Sequence, residues 1–330
     1  MASLSYLIKR AIHMDYRSMF EKVNKIHKKT GKNRLWLLYD IQQCAVKYGA
    51  GYSDYDLYEM YNLTDQQRDS YITRGRNNDL VLKYNQKEYF QYIDDKSKFN
   101  QLFNKYLKRD WVKVEDDNKQ QVIDFINKHQ QFMAKPIIGS CGKQIEKINR
   151  DDFASVEQLY QHLLNKDLEL EELIIQHPLI SSIYPGSINT VRVVTILKDN
   201  VAHVICAYFR IGNGKYVDNF NSGGMVAPVD VESGVVKDLA IDKQKNLYER
   251  HPLTNAVIKG FKFPDWQQAL DMCKEACFVV PQMGYIGWDV GFSDKGPVFV
   301  EANEYPGHDI YQLPEHTKDG KGMWPLFNNI

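Results

Sequence analysis

Apolar residues recur at helical spacing from position 3 to 29. Leu4, Leu7, Ile8, Ile12, Tyr16, Met19, Phe20, Val23 and Ile26 fall near one face, which predicts an amphipathic helix. Similar patterning predicts helices over 35–48, 53–61 and 64–74. It continues through 86–107, with Tyr89, Tyr92, Phe99, Leu102, Phe103 and Tyr106 on the apolar side. After Trp111 the texture changes. Apolar runs at 131–138 and 168–176 bracket a helical stretch at 155–166. Beyond Asn189 the chain turns β-branched, and 190–197 and 201–211 read as strands joined by a turn at Lys198-Asp199-Asn200. A helix at 264–279 precedes strands at 285–292 and 297–302. Helices first, then mixed elements, then sheet with one late helix predict an α+β fold rather than a doubly wound one.

Composition narrows the function. The chain has 330 residues, 43% hydrophobic and 25% charged, enough for a sizeable core. Lys+Arg and Asp+Glu both number 42, so no global field recruits nucleic acid. Residues 1–34 are locally basic: six Lys and three Arg against Asp15 and Glu21, net +7. That stretch reads either as the solvated face of a packed helix or as a dock for an anionic membrane surface or acidic partner. No run of about 18 apolar residues occurs, and no signal peptide is expected, so a soluble, reduced, cytoplasmic protein is expected. The five cysteines are scattered. Cys273 and Cys277, spaced i,i+4, read as core packing ahead of a zinc half-site, because no partner pair or nearby histidine accompanies them.

The most informative segment is 287–303. Two strands flank a short connection ending at Gly296. If the loop is Asp294-Lys295-Gly296, Gly296 takes the left-handed position, Ser293 pairs with Pro297 and Asp289 faces Glu301. Asn303, two residues on, shares that face. Two carboxylates and an amide oxygen then converge, an all-oxygen set suited to Mg²⁺. A two-residue loop would instead put Asp289 and Glu301 on opposite faces, and a wet hairpin with solvent-facing acids remains the alternative. Upstream, Lys135 ends an apolar strand and is followed by a loop with Gly139, Ser140, Gly142 and Lys143. Glycines there let backbone N–H groups approach a phosphate. The spacing is not that of a Walker A loop, and a plain strand-to-strand turn is the competing reading.

Together these segments resemble the ATP-grasp superfamily, and especially its sugar-transfer-associated branch, over about residues 90–312. Asp95-Lys96 at a helix start resembles the first phosphate-contacting lysine of that family. Ala134-Lys135-Pro136 resembles the second, and 139–143 the loop that covers the phosphates. Residues 170–178 resemble the adenine-reading hinge, with Glu171 accepting from the exocyclic amine beside Glu172 and Leu173. Residues 187–195 match the branch's arginine strand at Arg192, and 218–224, with Asn219, its glycine turn. Asp289, Glu301 and Asn303 match its magnesium triad.

The resemblance implies an α+β ATP-grasp fold: a helical region over 1–90, a small lobe over 91–180 with the covering loop and hinge, and a large lobe over 181–330 with the metal site. It implies ATP and Mg²⁺ as cofactors. The reaction it implies is a carboxylate activated as an acylphosphate and captured by an amine or sugar acceptor, and the setting it implies is surface (capsule) polysaccharide assembly beside glycosyltransferase machinery. Lys96 and Lys135 would hold phosphates. Arg192 and Arg210 would stabilise the migrating charge or a substrate carboxylate. Asn219 and His308 would touch the acceptor. A kinase that stops at phosphorylation and a non-catalytic nucleotide- or membrane-binding adaptor are the competing functions.

Overall fold

The computed structural model of the chain describes residues 15–139 and 145–330. The expectations placed on 1–14 and on Ser140, Gly142 and Lys143 lie outside the described residues. The chain divides into two compact units, 1–83 with 305–330, and 84–304.

The first unit is helical. Asp15 accepts from Ser18 N to cap the helix Tyr16–Thr30, and Gly31 ends it at φ 73. Asn33 caps the helix Arg34–Tyr48 in the same way, through Leu35 N and Trp36 N. Two predicted helices are shorter than their patterns suggested. The stretch 53–61 is a helix at Tyr52–Leu57 and a 3₁₀ turn at Met60–Asn62, because Glu59 sits at φ 50. The stretch 64–74 is helical only at Asp65–Asp69, capped by Thr64 and Gln67, and a helix that the pattern did not announce runs from Arg74 to Tyr84. Val23, Ile26, Leu37, Ile41, Cys44, Tyr55 and Tyr71 form the core. Within it Arg68 forks onto Asp40 with both contacts at 2.8 Å, and Tyr55 donates to the same carboxylate at 2.6 Å. The C-terminal segment is tied in by side-chain amides: Ile72 N donates to Gln312, and Asn77 to Pro306 O, each at 3.0 Å. Much of the local basic charge is paired inside this unit, Lys22 and Lys25 with Asp56 and Lys29 with Glu59.

The second unit holds two antiparallel sheets. Strands β1 (Trp111–Lys113), β2 (Gln131–Pro136), β3 (Glu146–Asn149) and β4 (Leu168–Glu172) form a four-stranded sheet in the order β1-β4-β2-β3. Helices Lys119–Lys128 and Val156–Leu163 pack on it through Val122, Phe125, Ile126, Leu159 and Leu163. Ser155 caps the second helix by accepting from Gln158 N. Strands β5 (Thr190–Lys198), β6 (Val201–Ile211), β7 (Met225–Val229), β8 (Ala240–Asp242), β9 (Leu247–Tyr248), β10 (Tyr285–Ser293) and β11 (Gly296–Asn303) form a seven-stranded sheet in the order β11-β10-β5-β6-β7-β8-β9. The β5–β6 turn has Asp199 and Asn200 at positive φ, a primed turn that suits the strand twist. These are the two α+β lobes that the family resemblance implies.

The predicted helix over 86–107 is broken into Lys87–Tyr89, Gln91–Asp94, Lys96–Leu102 and Asn104–Leu107. Asp95 leaves the helical region at ψ 110 and accepts from Lys98 N, so it starts a new helix instead of continuing the old one. Phe99 and Phe103 from these pieces pack against Trp288 and Phe299. The helix Trp266–Ala276 joins the same core, and there Cys273 and Cys277 are buried as apolar groups. Cys277 lies 3.2 Å from Thr195 Oγ1 and joins no metal-ligand cluster among the described residues.

Candidate active site

The expected carboxylate pair forms, by a different register from the one predicted. Ser293 pairs with Gly296, so the loop is one residue tighter than expected, and Gly296 still takes φ 87. Strict alternation from that turn would place Asp289 and Glu301 on opposite faces. A β-bulge restores them: Val290 pairs with Phe299, and Asp289 with Glu301, leaving Val300 as the extra residue. Gly287 faces Asn303, so Asn303 shares the face of Glu301.

Next in the sheet, Arg192 on β5 faces Asp289. Its Nε and Nη2 fork onto the two carboxylate oxygens, with Nη2 to Oδ2 at 2.9 Å. Arg210 on β6 also donates to Oδ2 and pairs with Asp218 at 3.3 Å. Asp218 in turn accepts from Thr190 N at 2.9 Å, which anchors the turn carrying Asn219. Asn219 caps the 3₁₀ turn Phe220–Ser222 through Asn221 N at 2.8 Å. Burial opposes charge on Asp289, but the two guanidinium groups outweigh it and hold the carboxyl well below the usual range. Glu301 behaves oppositely. Burial and the neighbouring Asp289 charge push it up to about 7, against the pull of Arg210 and Arg192. Asn303 Nδ2 is buried and donates to no described residue, so it calls for an acceptor, while Oδ1 is the amide atom that a cation would use. Two acids, and an amide beside them, fit a hard divalent ion.

On the four-stranded sheet, Lys135 is buried and its Nζ donates to Glu171 Oε2 at 2.7 Å. Glu171 also accepts from Arg109 Nε at 2.7 Å and Asn100 Nδ2 at 3.3 Å. Its carboxylate is thus fully engaged. Burial works against its charge, yet Arg109 and Lys135 keep it ionised. Lys96 donates to Gly139 O at 2.9 Å, at the entrance to the loop that follows. Burial lowers its pKa, and Glu301 is the strongest charge acting on it, which brings the lysine cluster and the opposed acids into one neighbourhood. Glu172 turns away: its Oε2 accepts from Asp110 N at 2.9 Å, and Leu173 follows it along the chain.

Three participants escaped the sequence reading. Arg109 and Asn100 carry no motif, and Glu169 precedes the hinge by two residues, facing Lys135 directly. Only the period-2 alternation Glu169–Glu171 could have flagged Glu169. His308, in the first unit, has its Nε2 3.0 Å from Asp54 Oδ1, and Asp54 also accepts from Gly51 N and Arg74 N.

Among solved structures, the chain is similar to the ATP-grasp ligase PsnB complexed with its minimal precursor, Mg and ADP. The likeness has 15% identity and a TM-score of 0.43, over 74% of this chain and 60% of that one. It is similar to the D-alanyl-alanine synthetase A of Vibrio cholerae O1 biovar eltor, with 7% identity and a TM-score of 0.40, over 72% of this chain and 60% of that one. It is also similar to the ADP complex of PurK, an N5-carboxyaminoimidazole ribonucleotide synthetase, with 11% identity and a TM-score of 0.42, over 66% and 46%. The chain therefore spans less than two thirds of each of these structures. Comparison with curated proteins returns no match. Residues 75–327 match the sugar-transfer-associated ATP-grasp family, and the chain belongs to that family.

Proposed function

We propose that the chain is an ATP-dependent ligase that activates a carboxylate as an acylphosphate and joins it to an amine or similar nucleophile. The observation that carries this reading is the face shared by Asp289, Glu301 and Asn303, with Lys96 acting on Glu301 from the neighbouring lysine cluster. Family membership supports the nucleotide.

In this reading Lys96 and Lys135 hold the phosphates. Lys135 swings from Glu171 to do so, and Arg109 and Asn100 keep the Glu171 carboxylate paired. The hinge at Glu171, Glu172 and Leu173 reads adenine, and Gly139, Ser140, Gly142 and Lys143 are the residues assigned to the phosphates. Asp289, Glu301 and Asn303 would hold Mg²⁺, which would supply neutralisation of phosphoryl charge there. Arg192 and Arg210 fix Asp289 and keep a positive field beside the transferring group. Asn219 and His308 serve the acceptor. The Asp54 carboxylate fixes the orientation of the His308 ring, as a group that must accept a proton would require.

A sugar or sugar precursor of a cell-surface polysaccharide is the acceptor that the family description favours. Cytoplasmic placement is consistent with the absence, among the described residues, of any helix long and apolar enough to cross a membrane. The internal pairing of Lys22, Lys25 and Lys29 weakens a membrane dock over 1–34.

Calorimetric titration with a non-hydrolysable ATP analogue, with and without Mg²⁺, tests the reading. Magnesium-dependent binding that disappears in Glu301→Ala is expected, together with loss of turnover in that variant. Absence of binding under both conditions overturns it. Product mass separates ligation from a kinase outcome.

A further inference from the structure

Glu169 is 0% exposed, and neither of its carboxyl oxygens receives a hydrogen bond from any described residue. The described cationic and amide donors nearby are engaged elsewhere: Lys135, its own cross-strand partner, at 2.7 Å, Arg109 at 2.7 Å and Asn100 at 3.3 Å go to Glu171, and Lys96 goes to Gly139 O at 2.9 Å. The two glutamates lie on one face of β4, two residues apart. An ionised carboxylate left buried without a partner is too costly to persist, so Glu169 is a neutral acid. The Glu171 carboxylate is an acceptor on the same face of β4, and it is the charge that acts most on Glu169.

We propose that Glu169 and Glu171 share a single proton at the floor of the nucleotide cleft, and that Glu169 thereby links nucleotide binding to proton uptake. This rests on the nucleotide reading of the cleft given above.

The charge count shows why. With Glu169 neutral, Lys96, Lys135 and Arg109 against Glu171 leave a net +2 beneath the phosphates. Ionising Glu169 would cut that to +1. Burial, and then the Glu171 charge, push Glu169 up to about 9, while Lys135 and Arg109 oppose the shift. Lys96 also titrates more easily than an exposed lysine, because burial lowers its pKa. Near and above pH 9 the free protein loses the Glu169 proton, and an arriving polyphosphate calls it back. Affinity then falls by up to about tenfold per pH unit from this group alone. Glu169 is a positioning residue: it acts through Glu171 and Lys135 and need not touch the nucleotide.

The test uses the full chain and its Glu169→Gln variant, which keeps a donor toward Glu171 but cannot ionise. Magnesium-ADP is titrated from neutral pH to above pH 9 in buffers of different ionisation enthalpy. The wild type should take up a proton on binding near pH 9, and the variant should lack that share and retain affinity better at alkaline pH. Equal proton uptake in both assigns the proton to Lys96 and overturns the inference while leaving the nucleotide reading intact. If the wild type binds no nucleotide, both fall. Infrared spectroscopy of the free protein gives a second readout. The spectrum of the wild type minus that of Glu169→Gln should show the carbonyl band of one buried neutral acid at about pH 8, above the range of Glu301, and its absence from that difference overturns the inference whatever the variant binds.

Discussion

Asp289 and Glu301 face each other across the β10–β11 ladder because Val300 is bulged out between them and the turn. The turn at Asp294-Lys295 sets one register for the tip of the hairpin. The bulge then shifts β11 by one residue and turns Glu301 and Asn303 toward Arg192 and Arg210. Bulges of this kind re-aim side chains beside functional sites. The opposed acids are tolerated because two guanidinium groups bind Asp289 and the raised Glu301 takes up a proton more readily than an exposed acid.

Deleting Val300 should therefore be more informative than replacing it. Without the extra residue, the pairing of the tip would run on from Val290–Phe299 and still bring Glu301 opposite Asp289. Magnesium-dependent nucleotide binding should survive both the deletion and Val300→Ala, and its loss on deletion alone would mean that the bend of the bulge, beyond the facing of the acids, is required. Titration calorimetry on both variants, with circular dichroism to verify folding, checks this.

Lys135→Ala removes a charged donor proposed to serve the phosphates. A hydrogen bond to a charged group is worth roughly 1.5–3 kcal/mol, so nucleotide affinity should fall roughly 10- to 100-fold. Glu171 keeps Arg109 and Asn100, so the thermal midpoint should move little. Unchanged affinity would refute the assignment.

Gly224 is confined by backbone. A Cβ there would lie 2.3 Å from Asp218 O. Gly224→Ala should push on the turn that holds Asp218 against Arg210 and Thr190, and destabilise the unit by about 1–3 kcal/mol in urea unfolding. Wild-type stability in that variant would mean that the turn yields without strain.

Acid should weaken the fold through His251. Its Nε2 donates to Gly212 O at 2.8 Å and its Nδ1 accepts from Leu253 N at 3.2 Å, so the neutral tautomer is specified on both nitrogens. Burial lowers its pKa below the ordinary 6.5. The unfolded chain then binds the proton more readily, and stability is lost as pH falls below about 6.5, by up to about 1.4 kcal/mol per unit. The raised Glu169 and Glu301 gain stability over the same range, so the His251 share is read as a difference: in urea unfolding, the wild type should lose stability relative to His251→Gln as pH falls from neutral to mildly acidic.

Several features were legible in order and spacing. The hairpins at 190–211 and 285–303 announce themselves by β-branched runs and by turn residues that accept positive φ, Asp199-Asn200 and Gly296. The Asp289, Glu301 and Asn303 set could be named from the family resemblance and a three-residue loop, but the facing of Asp289 and Glu301 depends on a tighter turn and a bulge at Val300 that strand alternation does not announce. The helix breaks at Glu59 and Asp95 could not, since apolar periodicity persists across them while single residues leave the helical region.

The sequence by itself determined the α+β order of elements, the family and the choice of the acids and lysines proposed to carry its chemistry, because these depend on residue type and short-range spacing. Tertiary structure decided which of those groups are charged and which are already engaged. Arg109, 62 residues from Glu171, ionises that carboxylate; Arg210, 79 residues from Asp289, does the same there; and Glu169 stays neutral because the described donors nearby are engaged elsewhere. Protonation is set by burial and by which charges arrive within a few ångströms, and only the folded chain brings such distant residues together.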